Sequence, residues 1–297
     1  MTHGAHHHHA ARGERVLAVL ILNACITIAE YIGGVLSGSL ALVSDAGHNL
    51  SDVLAIALGY AGEKISSRPP GKRFSFGLKR FEVAAALVNA LVLVGIAVWI
   101  LREATIRFFH PSPVNVAVML PIACIGLAGN LASIIILARD RSRSLNLKAA
   151  FMHLFADTIS SVAVIAAGVA LIVTSLPMID LAISALIAAM IAAGAMGIIR
   201  DAVRIFLQGT PPHIDPAEVL RDIVSIHGAV SVHGLHIWSI NSSEVFLSCH
   251  ICAGGADTDR LIRNVNRMLE DRYGIRHTAI QVETERICSF EGDNCCR

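Results

Sequence analysis

The sequence predicts an α-helical membrane protein with six transmembrane helices, followed by a cytoplasmic α+β domain. The first observation is composition: 54% of the 297 residues are hydrophobic and only 16% are charged, which is too apolar for an ordinary soluble domain. The second is a series of apolar runs of about 20 residues, the length that crosses a bilayer as a helix. The third is an abrupt change after Gln208 to the composition of a soluble domain.

Six apolar runs are long enough to span a membrane. They are approximately Val16–Leu36, Leu40–Gly62, Phe81–Glu103, Val114–Ala138, Ala149–Leu171 and Ile179–Ile199. A tail at residues 1–15 contains His3 and His6–His9, a tract that either binds metal weakly through imidazole or derives from a cloning tag. We therefore expect a cytoplasmic tail at 1–15, a six-helix membrane domain at 16–208 and a cytoplasmic domain at 209–297.

Basic residues in the short loops predict the orientation of the chain. Arg12 and Arg15 precede the first span, whereas the loops at 37–39 and 175–177 carry no Lys or Arg. The loops after the second and fourth spans are basic, with Lys64, Arg68, Lys72, Arg73, Lys79, Arg80, Arg139, Arg141, Arg143 and Lys148. Because basic loops stay in the cytoplasm, we expect a multi-pass protein of the inner (plasma) membrane with both termini cytoplasmic.

The last 90 or so residues follow an α-β-β-α-β pattern. Asp215 and Pro216 are typical of a helix start, as N-cap and first helical residue. Asp257 is a second N-cap candidate, and Gly274 is typical of a helix end. Alternating apolar residues predict three strands, Val230–Ile240, Glu244–Cys252 and Arg276–Glu283.

Two strings inside the apolar runs have the pattern His-x-x-x-Asp. They are His48 to Asp52 in the second run and His153 to Asp157 in the fifth. Four residues make about one helical turn, so each pair projects from one helix face. Ionisable residues in a bilayer are costly and usually mark an ion or proton path. Two His and two Asp would supply the four ligands of a tetrahedral zinc site, and two unrelated packing pairs are the alternative.

We single out four further polar residues in the predicted spans. Asp45 falls on the same helical stripe as His48 and Asp52, where it would support the ligands, carry a proton or make structural hydrogen bonds. Asn23 and Asn130 fit interhelical hydrogen bonding better than metal ligation. We expect Asp180, at the outer end of the sixth span, to be solvated.

Composition and motifs argue against two function classes. The net charge of +1 and the basic residues at membrane borders give no sign of nucleic-acid binding. No His-Glu-x-x-His motif is present, and four protein ligands leave no open position for a zinc-bound water, so the chain is not expected to be an enzyme. A reducing cytoplasm argues against a disulfide framework for the cysteines of the cytoplasmic domain.

The residues resemble the cation diffusion facilitator family, particularly its zinc-transporting branch. The resemblance covers essentially the whole chain and rests on several strings taken together. They are Gly38 to His48 (GSLALVSDAGH) with Leu50 to Asp52, Phe76 to Glu82 (FGLKRFE), His153 with Asp157, and Val232 to Ser239 (VHGLHIWS).

The resemblance implies a homodimeric antiporter that exports Zn²⁺ from the cytoplasm in exchange for protons, with other divalent transition metals as further candidates. It implies that His48, Asp52, His153 and Asp157 form the transport site. A membrane zinc sensor that does not transport is the alternative function, and a membrane zinc enzyme is a weaker one.

The resemblance also implies a metal-binding cytoplasmic domain that holds Zn²⁺. His233, His250 and Glu283 match ligand positions there, and the tail cysteines Cys288, Cys295 and Cys296 match more weakly. Cys252 shares a strand face with His250 and could contribute, whereas Cys249 points to the opposite face and should pack in the core.

Two features depart from the family pattern. Residues 66–72 carry no His, Asp or Glu, so we expect no metal site in that loop. Arg80 occupies a basic position, but Gln208 stands where an acidic partner would be, which puts an ion pair between them in doubt.

Overall fold

The structure, a computed structural model, describes residues 4–66, 69–138, 145–174, 176–255 and 257–284. Six long helices come first along the chain. They are α1 (Gly4–Ser37), α2 (Leu40–Ser66), α3 (Phe81–Phe109), α4 (Val116–Ala138), α5 (Leu145–Thr174) and α6 (Met178–Phe206).

Five helices in the described part of the chain are long and apolar enough to cross a membrane. Their apolar stretches are Val19–Ser37, Phe81–Phe109, Val116–Ile136, Leu154–Thr174 and Met178–Phe206. Helix α2, which carries Asp45, His48 and Asn49, is not among the five. The chain therefore has a helical membrane domain with five candidate spans.

The chain divides into two compact units. The helical unit comprises residues 1–60 and 88–198, and the mixed unit comprises residues 61–87 and 199–297. The mixed unit therefore contains the end of α2, the start of α3 and the end of α6, together with the small sheet.

Small residues let α4 pack closely against two neighbours in the helical unit. Helix α4 contacts both α1 and α5. A Cβ added at Gly129 would lie 2.3 Å from Ile26 Cδ1, and one at Gly168 would lie 2.6 Å from Leu120 Cδ2. Neither distance is tolerated by real side chains, so these glycines allow the contacts of α4 with α1 and with α5.

The mixed unit contains a three-stranded sheet with two helices. Its elements are α7 (Pro216–Val224), β1 (Ala229–Ser239), β2 (Val245–Ala253), α8 (Thr258–Tyr273) and β3 (His277–Thr284). The strand order is β1-β2-β3; β1 pairs antiparallel with β2, and β2 pairs parallel with β3. A parallel pair needs a crossover connection, which α8 provides.

Local sequence signals set the ends of the two short helices. Asp215 caps α7 by accepting a hydrogen bond from Ala217 N, and Pro216 follows it, as predicted. Asp257 caps α8 in the same way, and Gly274 ends it with φ = 67°, a left-handed conformation that glycine adopts without strain.

One apolar core holds the sheet to its helices. It includes Leu247 and Ile251 of β2 together with Val265 and Leu269 of α8. Cys249 is part of this core, which confirms the prediction from strand alternation. Because Cys249 is buried in apolar surroundings, the pKa of its thiol rises to about 11.

We predict that truncating this core destabilises the domain. Leu269 is fully buried, so Leu269→Ala should lower the free energy of unfolding of a fragment of residues 209–297 by about 2–5 kcal/mol. Leu220 is 37% exposed, and Leu220→Ala should cost less than about 1 kcal/mol. Urea unfolding followed by circular dichroism at one protein concentration measures both. Equal losses in the two variants would show that the core has been assigned wrongly.

Candidate metal centres

The helical unit brings one member of each His-x-x-x-Asp pair together. His48 Nε2 on α2 lies 3.4 Å from Asp157 Oδ1 on α5. Asp157 is buried, with 2% of its side chain exposed, whereas His48 is 29% exposed. The side chains of the other two predicted ligands, Asp52 and His153, lie outside the described residues. The described geometry is therefore an imidazole and a buried carboxylate that face each other across two helices.

Hydroxyl groups on α5 satisfy the carboxylate of Asp45. Ser160 Oγ donates to Asp45 Oδ1, and Ser161 Oγ lies 3.4 Å from Oδ2. Asn130 of α4 donates in turn to Ser161 Oγ at 3.1 Å. Asp45 thus takes part in a hydrogen-bonded network between α2, α4 and α5.

The two lone amides are hydrogen-bonded across helices, as predicted. Asn130 of α4 binds Ser161 of α5, and Ser133 of α4 donates to Asn23 Oδ1 of α1 at 3.3 Å. These contacts confirm the interhelical packing role of both amides.

Glu30 is a polar residue of the membrane helices that sequence reasoning missed. It is 1% exposed, and its Oε2 accepts a hydrogen bond from Asn49 Nδ2 at 2.8 Å. Its Oε1 has no hydrogen-bond partner among the described residues and faces Gly126, where an added Cβ would lie 2.0 Å away. The sequence did offer one signal, because a Glu inside an apolar run is unusual. The contact with Asn49 joins two different helices, and a pattern within one helix does not reveal it.

The prediction that Asp180 is solvated is wrong. Its side chain is buried, and its carboxylate accepts hydrogen bonds from Ser39, just before α2, and from Leu40, the first residue of α2. Sequence position alone placed it at the outer end of a span. The hydrogen-bond donors come from a segment about 140 residues earlier in the chain, which the sequence does not reveal.

A second cluster of ligand-type side chains lies on the sheet of the mixed unit. His233 of β1 pairs directly with His250 of β2, and Cys252 pairs with Glu283 of β3. His250 Nδ1 lies 2.6 Å from Glu283 Oε1, and His233 Nε2 lies 3.5 Å from Oε2. The three side chains His233, His250 and Glu283, which we call the cytoplasmic cluster, are thus brought together by strand register.

Electrostatics keep Glu283 in the form that binds metal. The hydrogen bond with His250 and the nearby imidazole of His233 lower the pKa of Glu283, although burial acts in the opposite direction. A lowered pKa means that the ionised carboxylate stabilises the fold above the ordinary Glu pKa. That stabilisation is lost as the pH falls through the lower native value.

Cys252 lies next to the cytoplasmic cluster. Its Sγ is 3.9 Å from His233 Nδ1, and ligand atoms of His233, Cys252 and Glu283 lie within 4.8 Å of one another. Cys252 is disulfide-bonded, however, which the argument against a disulfide framework did not anticipate for this residue. That expectation rested on the compartment and not on geometry. The tail cysteines Cys288, Cys295 and Cys296 lie outside the described residues.

Family models match nearly the whole chain. The cation efflux transmembrane domain matches residues 16–207, and the cytoplasmic domain of cation efflux proteins matches residues 211–285.

Curated relatives give the same result. The metal cation efflux system protein CzcD of Cupriavidus metallidurans is 36% identical over 283 residues, which cover 94% of this chain and 90% of the relative. The cadmium, cobalt and zinc/H(+)-K(+) antiporter of Bacillus velezensis is 35% identical over 94% of this chain and 92% of its own. The zinc transporter ZitB of Pectobacterium atrosepticum is 32% identical over 99% of this chain and 94% of the relative.

Solved structures that are similar include one of a C-terminal domain. It is the metal-bound C-terminal domain of the CzcD transporter from the same Cupriavidus species, 33% identical to this chain, with a TM-score of 0.23. The match covers 24% of this chain and 99% of the solved domain. On the family models and the curated relatives, the chain belongs to the cation efflux (cation diffusion facilitator) family and is a multi-pass membrane transporter of metal cations, not an enzyme.

Proposed function

We propose that this protein is a proton-coupled antiporter that exports Zn²⁺ and related divalent transition metals from the cytoplasm. The observation that carries the proposal is the approach of His48 Nε2 to Asp157 Oδ1, 3.4 Å apart on two different helices. Zinc binds imidazole nitrogen and carboxylate oxygen at about 2.0–2.2 Å, so one ion could contact both atoms.

The remaining two ligands of the proposed site follow from helical spacing. Asp52 lies four residues after His48 on α2, and His153 lies four residues before Asp157 on α5. Residues four apart lie on one helix face, so each belongs to the same face as the described member of its pair. The proposed transport site is therefore tetrahedral, with two His and two Asp, and zinc is its cargo.

Buried negative charge supports exchange of metal for protons. Glu30, Asp45 and Asp157 are each no more than 2% exposed. A carboxylate in a low-dielectric interior must be neutralised by a cation or by a proton. Zinc needs neutral imidazole and ionised carboxylate, so protonation of the ligands releases it and zinc binding releases protons.

A relative's name supports the same coupling. The Bacillus velezensis relative is called a cadmium, cobalt and zinc/H(+)-K(+) antiporter, and the Pectobacterium relative is called a zinc transporter. We extend proton exchange and zinc selectivity to this chain as parts of the proposal.

We further propose the membrane arrangement and the assembly. Helix α2 would also span the membrane and bring the number of spans to six. The His and Asp residues that lower its hydropathy are the proposed ligands. The basic loops would place both termini in the cytoplasm of the inner membrane, with the domain boundary near Gln208. The match of residues 211–285 to the family's cytoplasmic domain supports a homodimer.

The cytoplasmic cluster would regulate transport. His233, His250 and Glu283 lie on strands of the mixed unit, so zinc bound there is not the ion in transit. A ligand stabilises whichever state it binds better, so zinc at this cluster would shift the protein toward a more active arrangement.

We predict that loss of either described membrane ligand abolishes transport. His48→Ala removes an imidazole and Asp157→Asn removes a charge, so zinc flux into proteoliposomes should fall by more than about a hundredfold, the upper end of what loss of an outer-shell partner costs. The matched control is His110→Ala, because His110 is an exposed histidine just after α3. Normal flux in a well-folded His48→Ala variant would end the proposal.

We predict that the cytoplasmic cluster tunes transport without carrying it. The double variant His250→Ala/Glu283→Gln should bind less zinc per protomer and need a higher zinc concentration for half-maximal flux. Maximal flux should be partly retained, because the membrane site is intact. The control is His227→Ala, an exposed histidine of the same unit.

Zinc stoichiometry and flux, measured on the same preparations, decide between tuning and transport. Complete loss of flux in the folded, dimeric double variant would mean that the cluster lies on the transport path.

A further inference from the structure

We propose that Asp180 is a positioning residue that fixes the outer end of α2 and thereby holds the proposed transport ligands of that helix in place. Asp180 lies in the first turn of α6 and is 1% exposed. The inference rests on the proposed function, because it assigns Asp180 a role in presenting His48.

The carboxylate of Asp180 caps α2 from another helix. Ser39 Oγ donates to Asp180 Oδ1 at 2.6 Å, and the backbone N–H of Leu40 donates to Oδ2 at 2.7 Å. The N–H of Ala41 lies 3.4 Å from Oδ1. These first N–H groups of a helix have no partner within the helix itself. A negative charge at this end also complements the helix dipole, and hydrogen bonds to a charged acceptor are the stronger ones.

Ser39 completes the cap. Its own Oγ accepts a hydrogen bond from Leu42 N at 3.2 Å while it donates to Asp180. One carboxylate and one hydroxyl therefore bind three backbone N–H groups at the start of α2. Ser39, Leu40 and Ala41 are all fully buried, so water is not available to replace a lost partner.

Two other elements hold the same end of α2. Arg107 of α3 donates to the carbonyl oxygen of Gly38, and Asn115 N donates to Ser37 O at 2.7 Å just before α4. Gly38 has φ = 71°, which allows the sharp turn between α1 and α2. Arg107 and Asn115 bind residues that precede α2, whereas Asp180 binds backbone N–H groups of α2 itself.

The connection to the metal site follows from helix geometry. His48 lies eight residues after Leu40 on α2, about 12 Å along the helix at 1.5 Å per residue. A helix transmits a shift at its end to the residues further along. Loss of the cap should therefore displace His48 relative to Asp157 without removing any ligand.

The direct test is hydrogen–deuterium exchange on the full-length protein in detergent. In Asp180→Ala, exchange of the amides of residues 40–42 should rise on the order of tenfold, since loss of a cap of this kind weakens a helix start by about that factor. The matched control is Asp201→Asn, an exposed acid on the same helix. Unchanged exchange in this segment would overturn the proposal, and this measurement does not depend on transport.

Transport kinetics supply the second readout. The apparent KM for zinc should rise on the order of tenfold in Asp180→Ala while the maximal rate changes much less, because the ligands are displaced but present. Asp180→Asn, which keeps one acceptor, should fall between Asp180→Ala and the wild type. A KM equal to that of Asp201→Asn would overturn the proposal. Absence of zinc flux in the wild type would instead contradict the proposed function.

A double-mutant cycle keeps the proposal falsifiable if Asp180→Ala fails to fold. Ser39→Ala removes the hydroxyl and leaves the backbone donors, so its rise in exchange and KM should be smaller than that of Asp180→Asn. Because both residues serve one cap, the effects of Ser39→Ala and Asp180→Asn should not add in the double variant. Additive effects would overturn the proposal.

Discussion

The cost of negative charge at membrane depth is the constraint on which the rest of this structure depends. Glu30, Asp45 and Asp157 place three buried carboxylates among the membrane helices. Amide and hydroxyl groups of Asn49, Ser160 and Ser161 donate to two of them but bring no charge. Hydrogen bonds alone do not offset the free-energy cost of removing an ion from water. Under the proposed function, a metal ion and protons supply the balancing charge in turn, which is the alternation that an antiporter requires.

Helix packing and the placement of these charges have the same origin. Glycine lets α4 approach α1 so closely that Gly126 lies against the Glu30 carboxylate. The same helix approaches α5, where Asn130 supports Ser161 and through it Asp45. Close contact between helices therefore serves two purposes, because it gives the bundle its packing and sets the surroundings of the buried acids.

The sequence predicted those features that depend on local periodicity. Strand alternation put Cys249 in the core. The His-x-x-x-Asp spacing named His48 and Asp157 as candidate ligands, and the family resemblance named His233 and His250, but the contacts of His48 with Asp157 and of His233 with His250 join different elements, which local periodicity does not report. Glu30, Asp180 and the disulfide of Cys252 were missed or wrongly predicted. Glu30 and Asp180 depend on partners 19 and 140 or more residues away, and no periodicity in one segment reports such contacts.

Proton-driven zinc flux tests the central claim most directly. The purified protein is reconstituted into proteoliposomes, and zinc movement is measured with an imposed pH gradient, then after an ionophore has collapsed it. The account predicts that zinc moves from the cytoplasmic face toward the acidic side, with protons moving the other way, and that accumulation slows when the gradient is lost. Identical zinc flux with and without the gradient would contradict it.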